Sequence, residues 1–219
     1  MVDFDLARLN MVESQIRTNK VTDQLVVSAF EQTARERFVS KNRQGIAYVD
    51  EAIEIGGGRY MLEPMLLARL LQAATPEKED IALDVACGTG YATAILASMC
   101  ATVVGLDSNA ELVQSGNATL SEMGVDNAAL VNGPLRDGYA KQQPYNVIII
   151  NGSVPEVPQA VLDQLNEGGR LVTVEGGDRR GPGVAVLYHR SGGRVAKRVL
   201  FDAGTPQLDE FALEAGFVF

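Results

Sequence analysis

Short β-branched runs alternate with longer helical segments from residue 81 onward, and this alternation restricts the possible folds more than any other feature of the chain. Strands that alternate with helices build a parallel sheet, because each helix returns the chain across one face of the sheet. The predicted strands are at 81–86, 102–106, 128–131, 146–150 and 170–174. The predicted helices between them are at 91–98, 109–123 and 159–165.

The N-terminal part of the chain has a different pattern. Residues 1–40 carry apolar side chains at helical spacing, whereas residues 47–55 look extended until three glycines interrupt them at 56–58. Pro64 is well placed as the first residue of a helix. The pattern predicts a helical appendage and a loop over residues 1–75.

The C-terminal part predicts that the sheet ends with antiparallel strands. Runs at 184–189 and 195–201 are joined by Ser191-Gly192-Gly193, which is typical of a hairpin turn. Residues 203–219 are expected to pack on the domain as a tail. We therefore expect a single α/β domain over residues 76–219.

Composition excludes several functional classes. The formal charge of −9 disfavours a nucleic-acid partner, since phosphate binding relies on clustered Lys and Arg. Cys87 and Cys100, with a single histidine, can form neither a disulfide framework nor a four-ligand zinc site. No apolar run approaches the ~20 residues that span a bilayer, and no secretory signal is recognisable at the start. A soluble, cytoplasmic protein without a metal site is expected.

The turn after the first predicted strand of the sheet has the composition of a ligand-binding turn. Gly88 and Gly90 let the backbone approach a ligand closely, and the following helix supplies free N–H groups. Asp107 ends the next strand, where a carboxylate can accept hydrogen bonds from both hydroxyls of a ribose. Together these residues predict a nucleoside cofactor.

Two cofactors use such a turn. A nicotinamide dinucleotide is usually bound by G-x-G-x-x-G, but Thr93 stands at the third glycine position. The chain instead has Asp84-x-Ala86-x-Gly88-x-Gly90, which is similar to the [DE]-x-G-x-G-x-G pattern of methyltransferases. The turn therefore favours S-adenosylmethionine, with S-adenosylhomocysteine as the product.

Further segments extend the similarity over most of the chain. They are Met11-Val12-Glu13-Ser14-Gln15-Ile16, Arg37-Phe38-Val39, Ala47-Tyr48-Val49-Asp50, Tyr91 within the turn, Pro144-Tyr145-Asn146, Pro155-Glu156-Val157-Pro158 and the run at 164–172. In order and spacing, from residue 11 to about 201, the chain resembles the protein-L-isoaspartate O-methyltransferase family.

The resemblance implies a Rossmann-like class I methyltransferase fold: a mostly parallel twisted sheet that ends in an antiparallel hairpin, with an N-terminal helical appendage. It also implies O-methylation of L-isoaspartyl carboxylates in damaged proteins, so the partners would be peptides or proteins that carry isoaspartyl residues. The residues expected to bind the cofactor are Tyr60, Met61, Asp84, Ala86, Cys87, Gly88, Gly90, Tyr91, Asp107, Ser108, Leu135, Asp137 and Asn151. The candidates on the substrate side are Leu62, Glu63, Asn151 and Ser153.

The chain departs from the family pattern at these same places. Leu62 stands at the serine of the family's T-I-S-Q-P segment, and leucine can neither donate nor accept a hydrogen bond. Glu63 adds negative charge near a site for an anionic substrate. Pro134 replaces the aspartate of the family's G-D-G, a role that Asp137 could assume. Where the family has a T-A-A-A-P loop, residues 151–155 of this chain are Asn-Gly-Ser-Val-Pro.

The acceptor chemistry leaves alternatives open. A carboxylate with a pKa near ~4 is ionised at neutral pH, so its methylation requires alignment rather than a general base. An amine or hydroxyl acceptor would more often require a base, for which Glu63 is the candidate. Besides isoaspartyl methylation, the sequence is compatible with a diverged methyltransferase that uses another acceptor. It is also compatible with a non-catalytic S-adenosylmethionine-binding protein that contacts a partner through the Leu62 region.

Overall fold

A computed structural model describes residues 2–177 and 182–212. The α-helices are α1 (Phe4–Met11), α2 (Gln24–Gln32), α3 (Pro64–Ala74), α4 (Tyr91–Ala97), α5 (Ala110–Glu122) and α6 (Gln159–Leu162). The strands are β1 (Ile53–Gly56), β2 (Arg59–Met61), β3 (Ile81–Val85), β4 (Thr102–Asp107), β5 (Ala128–Asn132), β6 (Tyr145–Val154), β7 (Leu165–Gly176), β8 (Gly183–Ser191) and β9 (Arg194–Ala203). Short 3₁₀ helices include Arg35–Phe38, Lys41–Ile46, Leu135–Asp137 and Asp209–Phe211.

Seven strands form one sheet in the order β5-β4-β3-β6-β7-β8-β9. Strands β3 to β7 pair in parallel, whereas β8 and β9 are antiparallel to their neighbours. The fold predicted from the sequence, a mostly parallel sheet that ends in an antiparallel hairpin, is confirmed. A separate two-stranded hairpin consists of β1 and β2.

The central strands are buried on both faces, which explains their almost continuous apolar sequence. Along β6, Val147 and Ile149 belong to the apolar cluster on one face, and Ile148 and Ile150 belong to the cluster on the other. The first cluster includes buried residues of α1 to α5, and the second includes buried residues of α6 together with Phe211 from the segment after β9. The N-terminal helices thus share their core with one face of the sheet. The division into units 1–75 and 76–219 stays a prediction.

The extended run predicted at 47–55 is mostly wrong. The chain turns until β1 begins at Ile53, and β2 is an additional strand. Gly57 and Gly58 have φ of 58° and 71°, the conformation of the two-residue turns that join tightly twisted antiparallel strands. The three glycines therefore reverse the chain into a hairpin instead of only ending a strand.

Two boundaries near the middle of the sheet also differ from the prediction. β6 continues to Val154, so the predicted loop at 151–155 begins as strand. The helix predicted at 159–165 ends at Leu162, because the carbonyl of Gln164 accepts a hydrogen bond from the amide of Tyr145 (2.8 Å) and draws the chain into β7.

The chain after β9 returns to the sheet. Leu208 and Phe211 are buried against it, while residues 213–219 of the predicted tail lie outside the described residues. Within 2–177 and 182–212, no helix combines the length and the apolar character needed to cross a bilayer.

Candidate active site

The predicted site residues lie at the carboxyl edge of the sheet. From β3 the chain proceeds outward to β4 and β5, and then returns to place β6 on the other side of β3. Such a reversal opens a crevice at the strand ends, where open α/β sheets bind ligands. Asp84, Asp107 and Asn151 lie near the ends of β3, β4 and β6 and so surround this crevice.

Asp84 organises the turn from inside the protein. It is fully buried and accepts hydrogen bonds from Thr93 Oγ1 (2.6 Å) and from the side-chain amide of Asn151. Burial raises the pKa of Asp84 to about 7, the charge of Asp107 adds to the rise, and the two hydrogen bonds oppose it. Asp84 therefore joins β3 to the first turn of α4 and to the end of β6.

The turn between β3 and α4 needs left-handed backbone at alternate positions. Ala86, Gly88 and Gly90 have φ of 59°, 55° and 91°. Glycine adopts this conformation freely, whereas an L-residue is strained in it. Ala86, which stands at the first glycine of the methyltransferase pattern, carries that strain in a buried position.

The carboxylate of Asp107, predicted to bind a ribose, accepts three hydrogen bonds from the protein itself. Its Oδ2 accepts from the amide of Gly88 (2.9 Å) and from Arg59 Nε (3.0 Å), and its Oδ1 accepts from the amide of Asn109 (2.9 Å). Arg59 lies in β2 and is only 2% exposed. The side chain of Asp107 has no exposed surface.

The other side of Arg59 contacts Ser108 and Glu210. Its Nη2 donates to Ser108 Oγ (2.8 Å) and to Glu210 Oε1, and its Nη1 donates to Glu210 Oε2 (3.2 Å). Burial alone would lower the pKa of Arg59, but Glu210 and Asp107 raise it above its ordinary value. The guanidinium thus joins β2, β4 and the 3₁₀ helix Asp209–Phe211.

Seven of the predicted residues line a cavity beside the turn. It is lined by Ile55, Tyr60, Met61, Leu62, Leu67, Ala86, Cys87, Thr89, Tyr91, Ala92 and Asn151. Its empty volume, which includes space open to solvent, is about 270 Å³. Burial raises the pKa of the Cys87 thiol well above its ordinary value, and it raises the pKa of Tyr91.

The substrate-side candidates have different environments. Leu62 is 2% exposed, and its carbonyl accepts from Arg35 Nη2 (2.7 Å). Glu63 directly precedes α3 and is partly buried, so burial and the nearby charge of Asp50 raise its pKa. Ser153 is buried, and its hydroxyl donates to the carbonyl of Gly176.

The remaining candidates lie on the 3₁₀ helix that follows β5. Leu135 is buried in the second apolar cluster together with Phe211. Asp137 is exposed, and its backbone carbonyl accepts from Gln164 Nε2 (2.6 Å). Pro134 precedes this helix in extended conformation. Of these three residues, Leu135 alone is buried, whereas Pro134 and Asp137 are exposed.

Sequence reasoning missed Arg59, Glu210, Ile55 and Arg35. Arg35 is fully buried, donates to the carbonyl of Ala47 (2.7 Å) and lies 4.8 Å from the centre of the Tyr91 ring. Its position before the quoted Arg37-Phe38-Val39 segment was the only signal for it. No local pattern distinguishes Arg59 or Glu210 from surface charges.

The residue types fit a nucleoside ligand, because a carboxylate ends β4 and a glycine turn follows β3. In the described conformation, however, Arg59 holds the carboxylate, and a Cβ built on Gly88 would clash with the side chain of Ile55. Within the described ranges, no group of three or more His, Cys, Asp and Glu residues is arranged to hold a metal ion.

A profile of the family described as protein-L-isoaspartate(D-aspartate) O-methyltransferase matches residues 7–199. The chain belongs to this family. A protein-L-isoaspartate O-methyltransferase of Koribacter versatilis (strain Ellin345) is 33% identical over 204 residues, which cover 92% of this chain and 90% of the relative. Another, of Methanoculleus marisnigri, is 34% identical over 169 residues, which cover 77% of each chain.

Solved structures share the fold. A protein-L-isoaspartate O-methyltransferase superposes with a TM-score of 0.80 at 22% identity, covering 92% of this chain and 65% of the other. A second structure, from Plasmodium falciparum and described as a protein of this family in complex with S-adenosyl-L-homocysteine, has a TM-score of 0.78 at 20% identity, covering 96% of this chain and 100% of the other. The family and the fold predicted from the sequence are confirmed, and the chain is a methyltransferase of the S-adenosylmethionine-dependent class. The individual site residues stay predictions.

Proposed function

We propose that this protein transfers the methyl group of S-adenosylmethionine to the carboxylate of L-isoaspartyl residues in damaged peptides and proteins of the cytoplasm, and so initiates their repair. The observation that carries the proposal is the family match over residues 7–199, which includes every residue that lines the cavity. In this proposal residues 76–219 bind the cofactor, and residues 1–75 supply the substrate side.

Asp107 and the turn after β3 would hold the cofactor. When bound, S-adenosylmethionine supplies an electrophilic methyl group on a sulfonium. Asp107 is the acceptor for the ribose hydroxyls, and Gly88 and Gly90 present backbone next to the nucleoside. Tyr60 and Met61, on β2, form a wall that keeps water from the cavity. Asn151, held by Asp84, fixes the opposite wall.

The cavity is suited to an acceptor that needs no general base. Its described lining contains no histidine, lysine, arginine, aspartate or glutamate. Burial raises the pKa values of Cys87 and Tyr91, so both remain protonated at neutral pH and neither can accept a proton. A carboxylate acceptor is already ionised, and its methylation then depends on alignment and on exclusion of water.

Leu62 makes this activity weaker than in a protein with serine at that position. The side chain is buried and lines the cavity, so it offers bulk where a hydroxyl would donate to the acceptor carboxylate. Asp50 and Glu63 add negative charge near the same end of α3, which disfavours an anionic substrate. Both effects lower the rate without changing the chemistry.

The test is transfer of a labelled methyl group to an isoaspartyl peptide, compared with a peptide of the same sequence that contains normal L-aspartate. We expect label in the isoaspartyl peptide only, as a base-labile ester. Asp107→Asn should weaken S-adenosylhomocysteine binding by about ten- to a hundredfold, because a charged acceptor is replaced by a neutral group. Equal labelling of the two peptides, or of neither, contradicts the proposed substrate.

Glu63 favours a second candidate, methylation of an amine or hydroxyl. Its raised pKa and its position before α3 are those of a group that can take a proton near the cavity. A panel of amine and hydroxyl acceptors would be methylated by the wild type and not by Glu63→Gln under this candidate. Under isoaspartyl methylation, Glu63→Gln leaves activity intact or raises it.

A further inference from the structure

Three distant parts of the chain meet around Asp107 and its partner Arg59. Arg59 comes from β2, Gly88 from the turn after β3, and Glu210 from the 3₁₀ helix near the C-terminus. Arg59 lies between the two carboxylates: its Nε is 3.0 Å from Asp107 Oδ2, and both of its terminal nitrogens donate to Glu210. An internal cation and a backbone amide therefore already occupy Oδ2 of Asp107, and a second backbone amide donates to Oδ1.

The β1–β2 hairpin (53–61) also covers the turn itself. The side chain of Ile55 occupies the space in which a Cβ of Gly88 would lie, so the hairpin covers this face of the turn. The tip of the hairpin is seated against Asn109, because a Cβ on Gly57 would overlap its side-chain amide. The hairpin and a nucleoside thus compete for one surface.

Residues 205–212, which we name the C-terminal segment, close the other side. The amide of Leu208 donates to the carbonyl of Ser153 (2.9 Å), and the amide of Ser153 donates to the carbonyl of Pro206 (3.0 Å), as in an added strand. A Cβ on Gly152 would lie 2.6 Å from Leu208 Cγ. The segment therefore lies directly on the end of β6, at the edge of the crevice.

The C-terminal segment follows the part of the chain that the family profile matches. The family match ends at residue 199, whereas Glu210 contacts Arg59 and Ser108 within the crevice. The predicted partners of the adenosine moiety are thus contacted by residues that lie beyond the matched domain. Phe211 is packed beside Leu135 in the same cluster, which fixes the segment in this position.

We propose that the β1–β2 hairpin and the C-terminal segment hold the nucleoside site in a closed, autoinhibited state, in which Arg59 occupies Asp107 and must be released before the cofactor binds. This inference rests on the proposed function, because it concerns the same cofactor. The closed state lowers the apparent affinity by the fraction of molecules that are open. Any change that weakens the Arg59 contacts but leaves the Asp107 carboxylate in place should therefore tighten cofactor binding.

The first measurement is calorimetric titration of the full-length protein with S-adenosylhomocysteine. Glu210→Gln removes a charge whose side chain is 36% exposed, so the fold should persist, and we expect binding about fivefold tighter. Arg59→Ala should tighten binding by about tenfold or more, because it frees Asp107 as well. Arg59→Lys keeps the charge but lacks the planar guanidinium, so its affinity for S-adenosylhomocysteine should lie between those of the wild type and Arg59→Ala.

Matched controls use exposed ion pairs away from the crevice. Glu122→Gln breaks the pair with Arg37, and Glu13→Gln breaks the pair with Arg17 in the N-terminal helices. Both variants should bind S-adenosylhomocysteine as the wild type does. Circular dichroism and thermal unfolding identify any variant that fails to fold; Glu210→Gln then decides alone.

Hydrogen exchange provides a readout independent of affinity. If the C-terminal segment is displaced on binding, S-adenosylhomocysteine should increase deuterium uptake over residues 205–212 of the wild type. A ligand that docks on a preformed site would decrease it. Reduced uptake, or equal dissociation constants for wild type, Glu210→Gln and Arg59→Ala, overturns the closed state.

The two proposals fail in different ways. Equal affinities together with isoaspartyl methylation overturn the closed state and leave the proposed function intact. Tighter binding by the variants without methylation of the isoaspartyl peptide overturns the proposed function alone. If neither the wild type nor any variant binds S-adenosylhomocysteine, both are overturned.

Discussion

Asp84 should make the stability of this protein depend on pH. The side chain is fully buried below the turn, with Thr93 and Asn151 as hydrogen-bond donors. Burial raises its pKa from 3.8 to about 7 in the folded protein, with a further contribution from Asp107. In the unfolded chain an aspartate titrates near ~3.9. The folded state therefore retains a proton that the unfolded state loses between these two values.

The sign and the magnitude follow from this difference. Because the unfolded state binds fewer protons between about pH 4 and 7, the free energy of unfolding falls as the pH rises through this interval. The contribution of Asp84 is fully present below ~3.9, is lost progressively up to about 7, and changes no further above it. A shift of about 3 units corresponds to an upper estimate of about 4 kcal/mol.

The assay compares the wild type with Asp84→Asn, which preserves the shape but cannot ionise. Urea unfolding at pH 4.5, 6 and 8 gives the difference in unfolding free energy at each pH. We expect the wild type to lose stability relative to the variant by up to about 3 kcal/mol between pH 4.5 and 8, because part of the total is already lost at pH 4.5. The exposed Asp126→Asn serves as a control for a change of one charge. A difference between wild type and Asp84→Asn that is constant over this range would refute the reasoning.

Three further predictions concern the cavity and its surroundings. Gly88→Val should abolish S-adenosylhomocysteine binding in calorimetry while circular dichroism still shows a folded domain, because the end of the Ile55 side chain can shift but the branched side chain then fills the space beside the turn; normal binding would show that the ligand does not approach Gly88. Leu62→Ser should raise the initial rate of isoaspartyl methylation about fivefold through one new hydrogen bond, and an unchanged rate would exclude contact with the acceptor. The same variant should lose about 2–4 kcal/mol of unfolding free energy in urea, because apolar burial is lost. Burial raises the pKa of Cys100 to about 12 and that of Cys87 well above its ordinary value. Both thiols should therefore react with a disulfide reagent at pH 8 only after unfolding, and rapid reaction of the native protein would contradict their burial.

The sheet was predictable because its signals are local. Strands β3, β4 and β6 are buried on both faces, and their β-branched runs differ sharply from the helices between them. Once parallel strands are inferred, topology places their carboxyl ends side by side, so Asp84 and Asp107 had to come together. The boundaries of β6 and α6 were less predictable, because they depend on hydrogen bonds from Tyr145 and Ser153 to residues distant in sequence.

The closed crevice was not predictable, since its contacts have no local pattern. Arg59 is separated from Asp107 by 48 residues and from Glu210 by 151. In the sequence, Arg59 is a single cation after three glycines, and Glu210 is one carboxylate in an acidic tail. Sequence spacing reveals which residues share a strand or a helix face, but not which buried carboxylate a given arginine meets.

Electrostatics at the strand ends sets the strength of the closed state. Asp107 now has a charged donor, Arg59, in addition to two backbone amides. A ribose would replace that guanidinium by neutral hydroxyls, and hydrogen bonds to charged donors are roughly twice as strong as neutral ones. Opening also moves Arg59 away from a buried carboxylate, which is costly unless the ligand compensates. Under the proposed closed state, cofactor affinity would therefore depend less on the glycine turn than on how readily Glu210 and the hairpin release Arg59.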